Sequence, residues 1–398
     1  MNKKTTFVAL CLAMSLGSWA QTKQGGISPQ MLSEIQKLQS QTPASKALFN
    51  AIAANNIDDL VKNHANQGPV DTHFSVETPA QSIHDQKSSG RCWMFSGFNV
   101  LRSNFAKAHG DSLKVELSHD YLFFYDQLEK ANLMLQGVID NAKKPIDDTR
   151  VQFFFKSPIN DGGTFCGVAD LADKYGVVPM SIVPETYSAE NTSRISRLVA
   201  SKLREFGLEL RDMVAKGKNA KAINERKTQM LATIYNMLSM TLGEPVKEFT
   251  YAFTDKNGKT VGTPKKYTPK EFFHEVVGDG IKGTFIMVMN DPRRPYHKTY
   301  EVEYDRHTYD GTNWKYLNLP MDEIAQLAIA SLKDGRKMYS SYDVGKQYDR
   351  KRGLLDVNNY DYASLFSTTF GMDKAQRIST FDSGSTHAMT LSAVDLDA

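Results

Sequence analysis

One stretch limits the fold more than any other: Gln86-Lys87-Ser88-Ser89-Gly90-Arg91-Cys92-Trp93-Met94-Phe95-Ser96. A polar, glycine-containing entry runs directly into an apolar helix, and a thiol stands at the junction. The helix is expected from about Cys92 to Ala108, with Phe98, Leu101 and Phe105 forming its apolar face. Ser88-Ser89-Gly90 reads as the flexible, cap-forming approach. A chain with this feature must bury one long helix while leaving that helix's first residue accessible.

That placement suits nucleophilic chemistry. A thiol reacts as thiolate, so it needs a site that favours the anion. The unpaired N–H groups of a helix start supply roughly half a positive charge there. Gly90 lets a substrate backbone pass close to the sulfur and is expected to bind it. Gln86, six residues upstream of Cys92, can reach back so that its amide joins the Cys92 N–H in an oxyanion hole. A buried, inert thiol is the structural alternative.

The base is sought among nine His residues. His387, in Ser385-Thr386-His387-Ala388-Met389-Thr390-Leu391, heads an apolar strand that can hold an imidazole at a cleft. His64, His73, His84, His109, His119, His274, His297 and His307 lack such a setting and read as structural or surface residues. No His/Cys/Asp/Glu cluster has metal-ligand spacing and no glycine-rich loop suits a phosphate, so no cofactor or metal is expected.

The first twenty residues differ from the rest. Lys3 and Lys4, an apolar run from Phe7 to Leu16 and the ending Ser18-Trp19-Ala20 read as a signal peptide cleaved after Ala20. Cys11 follows Leu10, where a lipoprotein signal wants a small residue, so no membrane anchor is expected. The mature protein is therefore expected to be secreted or periplasmic. Two cysteines then remain, Cys92 and Cys166, too few for a disulfide scaffold; a single Cys92–Cys166 bridge is the alternative to two free thiols.

Further along, helices are expected over Ser118–Leu135, Gly167–Tyr175 and the long stretch 192–242. Thr192 to Met230 carries ten Lys/Arg against four Asp/Glu, which reads as a solvated helix face. With 48 basic and 45 acidic residues overall, nothing argues for a nucleic-acid partner. From Lys247 strands are expected at Phe249–Phe253, Thr284–Met289, Tyr300–Tyr304 and Met389–Val394, with a hairpin turn at Lys256–Gly258.

The Cys-Trp pair with a distant His is a variant of the papain/cathepsin signature. The longer blocks QKSSGRCWMFSGFNVLR, ELSHDYLFFYDQLEKAN, DGGTFCGVADLADKYGVVP, DVGKQYDRKRGLLD and THAMTLSAVD resemble the bleomycin hydrolase/aminopeptidase C family of papain-like cysteine peptidases. The resemblance implies an α+β, two-lobe papain-like fold: a helical left lobe led by Cys92, a β-rich right lobe bearing His387, and a hook-like helical insertion. The implied division is signal peptide 1–20, helical arm 21–77, left lobe 78–191, hook 192–246 and right lobe 247–398. It also implies peptide substrates, a thiol aminopeptidase activity and a homo-hexamer. Asp161-Gly162-Gly163 matches the cleft-wall segment that hydrogen-bonds an extended substrate.

Two family features have no counterpart in this sequence, an Asn-Ser-Trp-Gly-like strand after the His and a tail lying in the cleft. Ala398 stands eleven residues past His387, so the resemblance implies a C-terminally truncated right lobe. Its functional alternative is a papain-fold assembly or binding protein that has lost activity.

Overall fold

The computed structural model describes residues 25–39 and 42–396. The expected signal peptide, its cleavage point and Cys11 lie outside the described residues. Two units separate: one comprises Met1–Gly68 with Asp356–Phe370, the other Pro69–Leu355 with Gly371–Ala398.

In the first unit, the helices Pro29–Leu38 and Pro43–Ala54 begin as their sequences dictate. Ser28 caps one, and a Thr42/Ser45 capping box starts the other, each with Pro in the first turn. The segment 356–370 returns to this unit through Asn63 N–H to Asn359 C=O (3.0 Å), Asp361 N–H to Val61 C=O (2.7 Å) and Tyr362 O–H to Asp58 Oδ1 (2.7 Å).

The second unit is organised around the helix His119–Asp140. Ser118 caps it by accepting from the Tyr121 N–H, and it is buried on almost every side through Leu122, Phe123, Phe124, Ala131, Met134, Leu135 and Val138. Against it pack the Cys92–Ala108 helix, the Phe165–Tyr175 helix and two antiparallel helices, Ser193–Ala215 and Ala220–Leu242. The last two occupy the basic stretch read as one long helical region. A turn through Lys216 to Asn219 divides it, and the buried stripe Ile195, Val199, Leu203, Phe206 and Leu210 leaves the charges outward.

Strands in this unit are short. Val288–Met289 runs parallel to Lys315–Asn318, which pairs antiparallel with Lys298–Glu301. The expected turn at Lys256–Gly258 closes on a Thr254–Thr260 bridge, with Gly258 at φ 81°. The ribbon that matters for the site joins Met338–Tyr342 to His387–Leu391 in antiparallel register, from His387 opposite Tyr342 to Leu391 opposite Met338. Its inner face lies on the Cys92 helix, where Asn99 Nδ2 donates to Thr390 Oγ1 at 3.2 Å and Ala388 is buried. No described helix is long and apolar enough to cross a membrane.

Candidate active site

The helix begins at Cys92, but its cap differs from the sequence expectation. Arg91 is the N-cap and offers no side-chain capping bond. Ser89 instead ties the loop to itself: its Oγ donates to Gln86 C=O (2.7 Å) and accepts from Arg91 Nε (3.1 Å). The first turn closes through Met94 and Phe95 N–H groups on Arg91 C=O, leaving the Cys92 N–H unused among the described residues. Gln86 Nε2 donates one hydrogen to Ser89 C=O at 2.5 Å, which leaves its second for another acceptor.

Across the chain, 295 residues later, the His387 strand arrives. The Ala388 N–H donates to Cys92 Sγ at 3.4 Å, so the backbone next to the imidazole lies against the thiol. His387 is half-buried, and this burial pushes its imidazole below the ordinary value, toward the neutral form that accepts a proton. Neither of its ring nitrogens has a hydrogen-bond partner among the described residues. Cys92 and Cys166 are both free, so the alternative of a bridge is not realised. Cys166 instead lines a cavity of about 290 Å³ with Phe165, Ile281 and Phe285, and burial pushes its thiol up to about 11.

Asp161 turns out to be structural glue for the nucleophile loop. Its Oδ2 accepts from Gly90 N–H at 2.6 Å and from Thr192 Oγ1, and its C=O accepts from Trp93 Nε1 at 2.8 Å. This explains Gly90: a Cβ there would sit 2.4 Å from Asp161 Oδ1, so the room beside Gly90 is filled by a carboxylate. Gly162 C=O is taken by Lys130 Nζ at 2.6 Å. No hydrogen bond among the described residues uses the Gly163 N–H or C=O.

Sequence reasoning missed the buried charges beneath these loops. Arg91 is fully buried, with Nη1 2.8 Å from Glu185 Oε2; this is a contact of charge without aligned hydrogen-bond geometry. Its guanidinium also lies 5.3 Å from the Phe95 and Phe123 ring centres. His119 stacks on Phe95 at 3.7 Å, and burial pushes it down to about 4. Burial and then the Glu185 charge push Asp120 up to about 7. Nothing local in the sequence marks these residues, since Glu185, the charge they share, is remote from all three in the chain. Among the described residues no group of His, Cys, Asp or Glu is arranged to hold a metal ion.

The arrangement is a thiol at a helix start, a His387-bearing strand whose backbone lies against the sulfur, an unused Cys92 N–H and an unpaired backbone edge at Gly163. In comparison with known proteins, the Peptidase C1-like family matches residues 26–398. The chain belongs to that family. Aminopeptidase C of Lactobacillus delbrueckii subsp. lactis is 38% identical over 360 residues, 90% of this chain and 79% of that protein. Bleomycin hydrolase of Homo sapiens is 37% identical over 332 residues, 80% of this chain and 71% of that protein. The crystal structure of PepW from Lactobacillus rhamnosis HN001 superposes with a TM-score of 0.87 at 34% identity, covering 94% of this chain and 83% of that one. The resemblance to the bleomycin hydrolase/aminopeptidase C family therefore holds, as does the papain-like α+β fold. This family member is a cysteine-type peptidase.

Proposed function

We propose that the protein is a thiol aminopeptidase that hydrolyses N-terminal peptide bonds through an acyl-enzyme on Cys92. The observation that carries the proposal is the 3.4 Å contact between Ala388 N–H and Cys92 Sγ, which sets the His387 backbone beside the nucleophile. Neutral His387 takes the Cys92 proton as sulfur attacks the scissile carbonyl carbon. The resulting oxyanion is met by the Cys92 N–H and the spare Gln86 amide hydrogen. His387 returns the proton to the leaving amine, and the carbonyl re-forms as a thioester. Water, deprotonated by His387, then hydrolyses the thioester and frees Cys92. The unpaired Gly163 N–H and C=O are the groups that hold the extended peptide.

Purified chain is assayed on aminoacyl amides, on peptides with free N-termini and on the same peptides N-acetylated. Release of single residues from free N-termini, abolished in Cys92→Ala, is the expected result. Cleavage that ignores acetylation would refute the aminopeptidase reading, and no Cys92-dependent cleavage would refute the peptidase reading for this chain. One observation favours a second reading, a papain-fold binding protein without turnover: the His387 ring has no hydrogen-bond partner among the described residues. Stoichiometric acylation of Cys92 by an active ester, without release, would support it.

We further propose export with cleavage after Ala20, supported by the charged start, apolar run and Ser-Trp-Ala ending. N-terminal mass analysis of the protein outside the cytoplasm tests it, and a retained Met1 refutes it. A homo-hexamer rests on the resemblance alone, and sedimentation velocity tests it.

A further inference from the structure

Lys130 is a buried lysine that the proposed chemistry does not use. Its ammonium spends its three N–H groups on Asp126 Oδ2 (2.9 Å), Asn160 C=O (3.0 Å) and Gly162 C=O (2.6 Å), so the buried charge is fully satisfied. Asp126 has no exposed side-chain surface. Although burial pushes its carboxyl up, the Lys130 charge and the His307 hydrogen bond hold it below the ordinary value. Its other oxygen takes His307 Nδ1 at 2.5 Å, while Thr164 N–H donates to His307 Nε2 at 3.4 Å. That pairing makes Nδ1 the protonated nitrogen of a neutral ring, in keeping with the burial and Lys130 charge that push His307 down.

The consequence follows from peptide geometry. Gly162 C=O and Gly163 N–H belong to one planar trans unit, so they point in opposite directions. Anchoring the carbonyl on Lys130 turns the Gly163 N–H away from the buried cluster. Inward collapse is blocked as well, because a Gly163 Cβ would lie 2.1 Å from His307 Cε1 and 2.9 Å from Trp93 Cδ2. Trp93 follows the nucleophile directly, and its ring centre is 4.4 Å from that of His307. We infer that Lys130, held by Asp126 and His307, is a positioning residue for substrate binding: it aims the Gly163 N–H at the peptide. This rests on the peptidase reading above.

The test compares two alkylating reagents on Cys92. Iodoacetamide needs only the thiol, whereas a peptidyl chloromethyl ketone also needs the wall. The more reactive of an aminoacyl and a dipeptidyl reagent on the wild-type chain is used. Lys130→Met strands the Asp126 charge and can fail to fold, so the double variant Asp126→Asn/Lys130→Met is made alongside; the amide oxygen it introduces still accepts from His307. Peptidyl labelling should fall about tenfold, the loss of one ordinary hydrogen bond, while iodoacetamide labelling stays within about twofold. Equal falls with both reagents would make Lys130 a purely structural residue and overturn the inference. Unchanged peptidyl labelling would overturn it too. A wild-type chain on which neither peptidyl reagent outpaces iodoacetamide fails earlier, at the peptidase reading, and takes the inference with it.

Discussion

Replacing Gly90 by Ala tests the link between the wall and the nucleophile most directly. The backbone at Gly90 is not left-handed, so Ala costs nothing through φ. The added methyl meets Asp161 Oδ1 at 2.4 Å and Cγ at 2.7 Å, where ordinary contact starts near 3.4 Å. Either the carboxylate or the loop must give way by about 1 Å. A bond of 2.6 Å from Gly90 N–H stretched by that much is no longer a hydrogen bond. Losing a bond to a charged acceptor costs about 1.5–3 kcal/mol. A 1 Å misplacement near the chemistry can cost about 10² in rate. Gly90→Ala should therefore lower kcat/KM about 10²-fold on an aminoacyl amide, with the loss mainly in kcat. The decisive assay is a double-mutant cycle with Asp161→Ala, which removes the clash and the bond together while keeping the backbone carbonyl that receives Trp93 Nε1. The double variant should be no worse than Asp161→Ala alone, giving a coupling of about 1.5–3 kcal/mol. Additive effects, within about 0.5 kcal/mol, would show that the carboxylate does not hold the nucleophile loop.

Gln86→Ala should lower kcat by about 10²–10³ with little change in KM, as expected of a donor that acts on the oxyanion; a change confined to KM would refute that role. Iodoacetamide at pH 7 should modify Cys92 well ahead of Cys166, because a thiol pushed up to about 11 is only about 10⁻⁴ thiolate there; equal rates at the two sites by mass spectrometry would contradict this. Asp120→Asn should change how stability depends on pH. Asp120 is raised to about 7, so the folded state holds its proton and its contribution falls as pH rises from about 4 to 7, while His119, lowered to about 4, contributes a rise between about 4 and 6.5. Relative to the parent, the variant should therefore gain about 2–3 kcal/mol between pH 4.5 and 6.5 in urea unfolding; a constant difference would refute the assignment.

Features carried by adjacent residues were legible in the sequence. The nucleophile helix runs from Cys92 to Ala108 as its periodicity predicts. The His119–Asp140 helix outlasts its predicted end at Leu135, and the burial of Gly137 and Val138 carries it on. Strand limits were less legible. Thr284–Met289 reads as a strand, yet Ile281–Thr284 is helical and only Val288–Met289 pairs. Tyr300–Tyr304 lies instead at Lys298–Glu301. Strands this short are defined by their partners, and alternation over so few residues carries little signal. The helix Met321–Lys333 escaped notice although Asp322 and Glu323 open it and Lys333 closes it. The buried supports were invisible for a plainer reason: Gly90 and Asp161 are 71 residues apart, and His307 and Asp126 are 181 apart.

The two halves of the site are anchored unequally, and that bears on how it works. Cys92 is fixed from several directions: Asp161 holds Gly90 and Trp93, Glu185 holds Arg91, and the Lys130 cluster holds the wall behind them. His387 stands at the end pair of a five-residue ribbon. Its backbone is placed by Tyr342, Ser341 and the Cys92 sulfur, while its ring is placed by packing alone. Rotating an unbonded, half-buried ring breaks no hydrogen bond, whereas moving the thiol must break several. Changes near the nucleophile should therefore propagate through geometry and stability together. Changes near the base should instead alter how often the imidazole faces the sulfur, and so alter kcat at nearly constant fold stability. A bound peptide that packs against the ring restricts that rotation, so part of its binding energy goes into orienting the base.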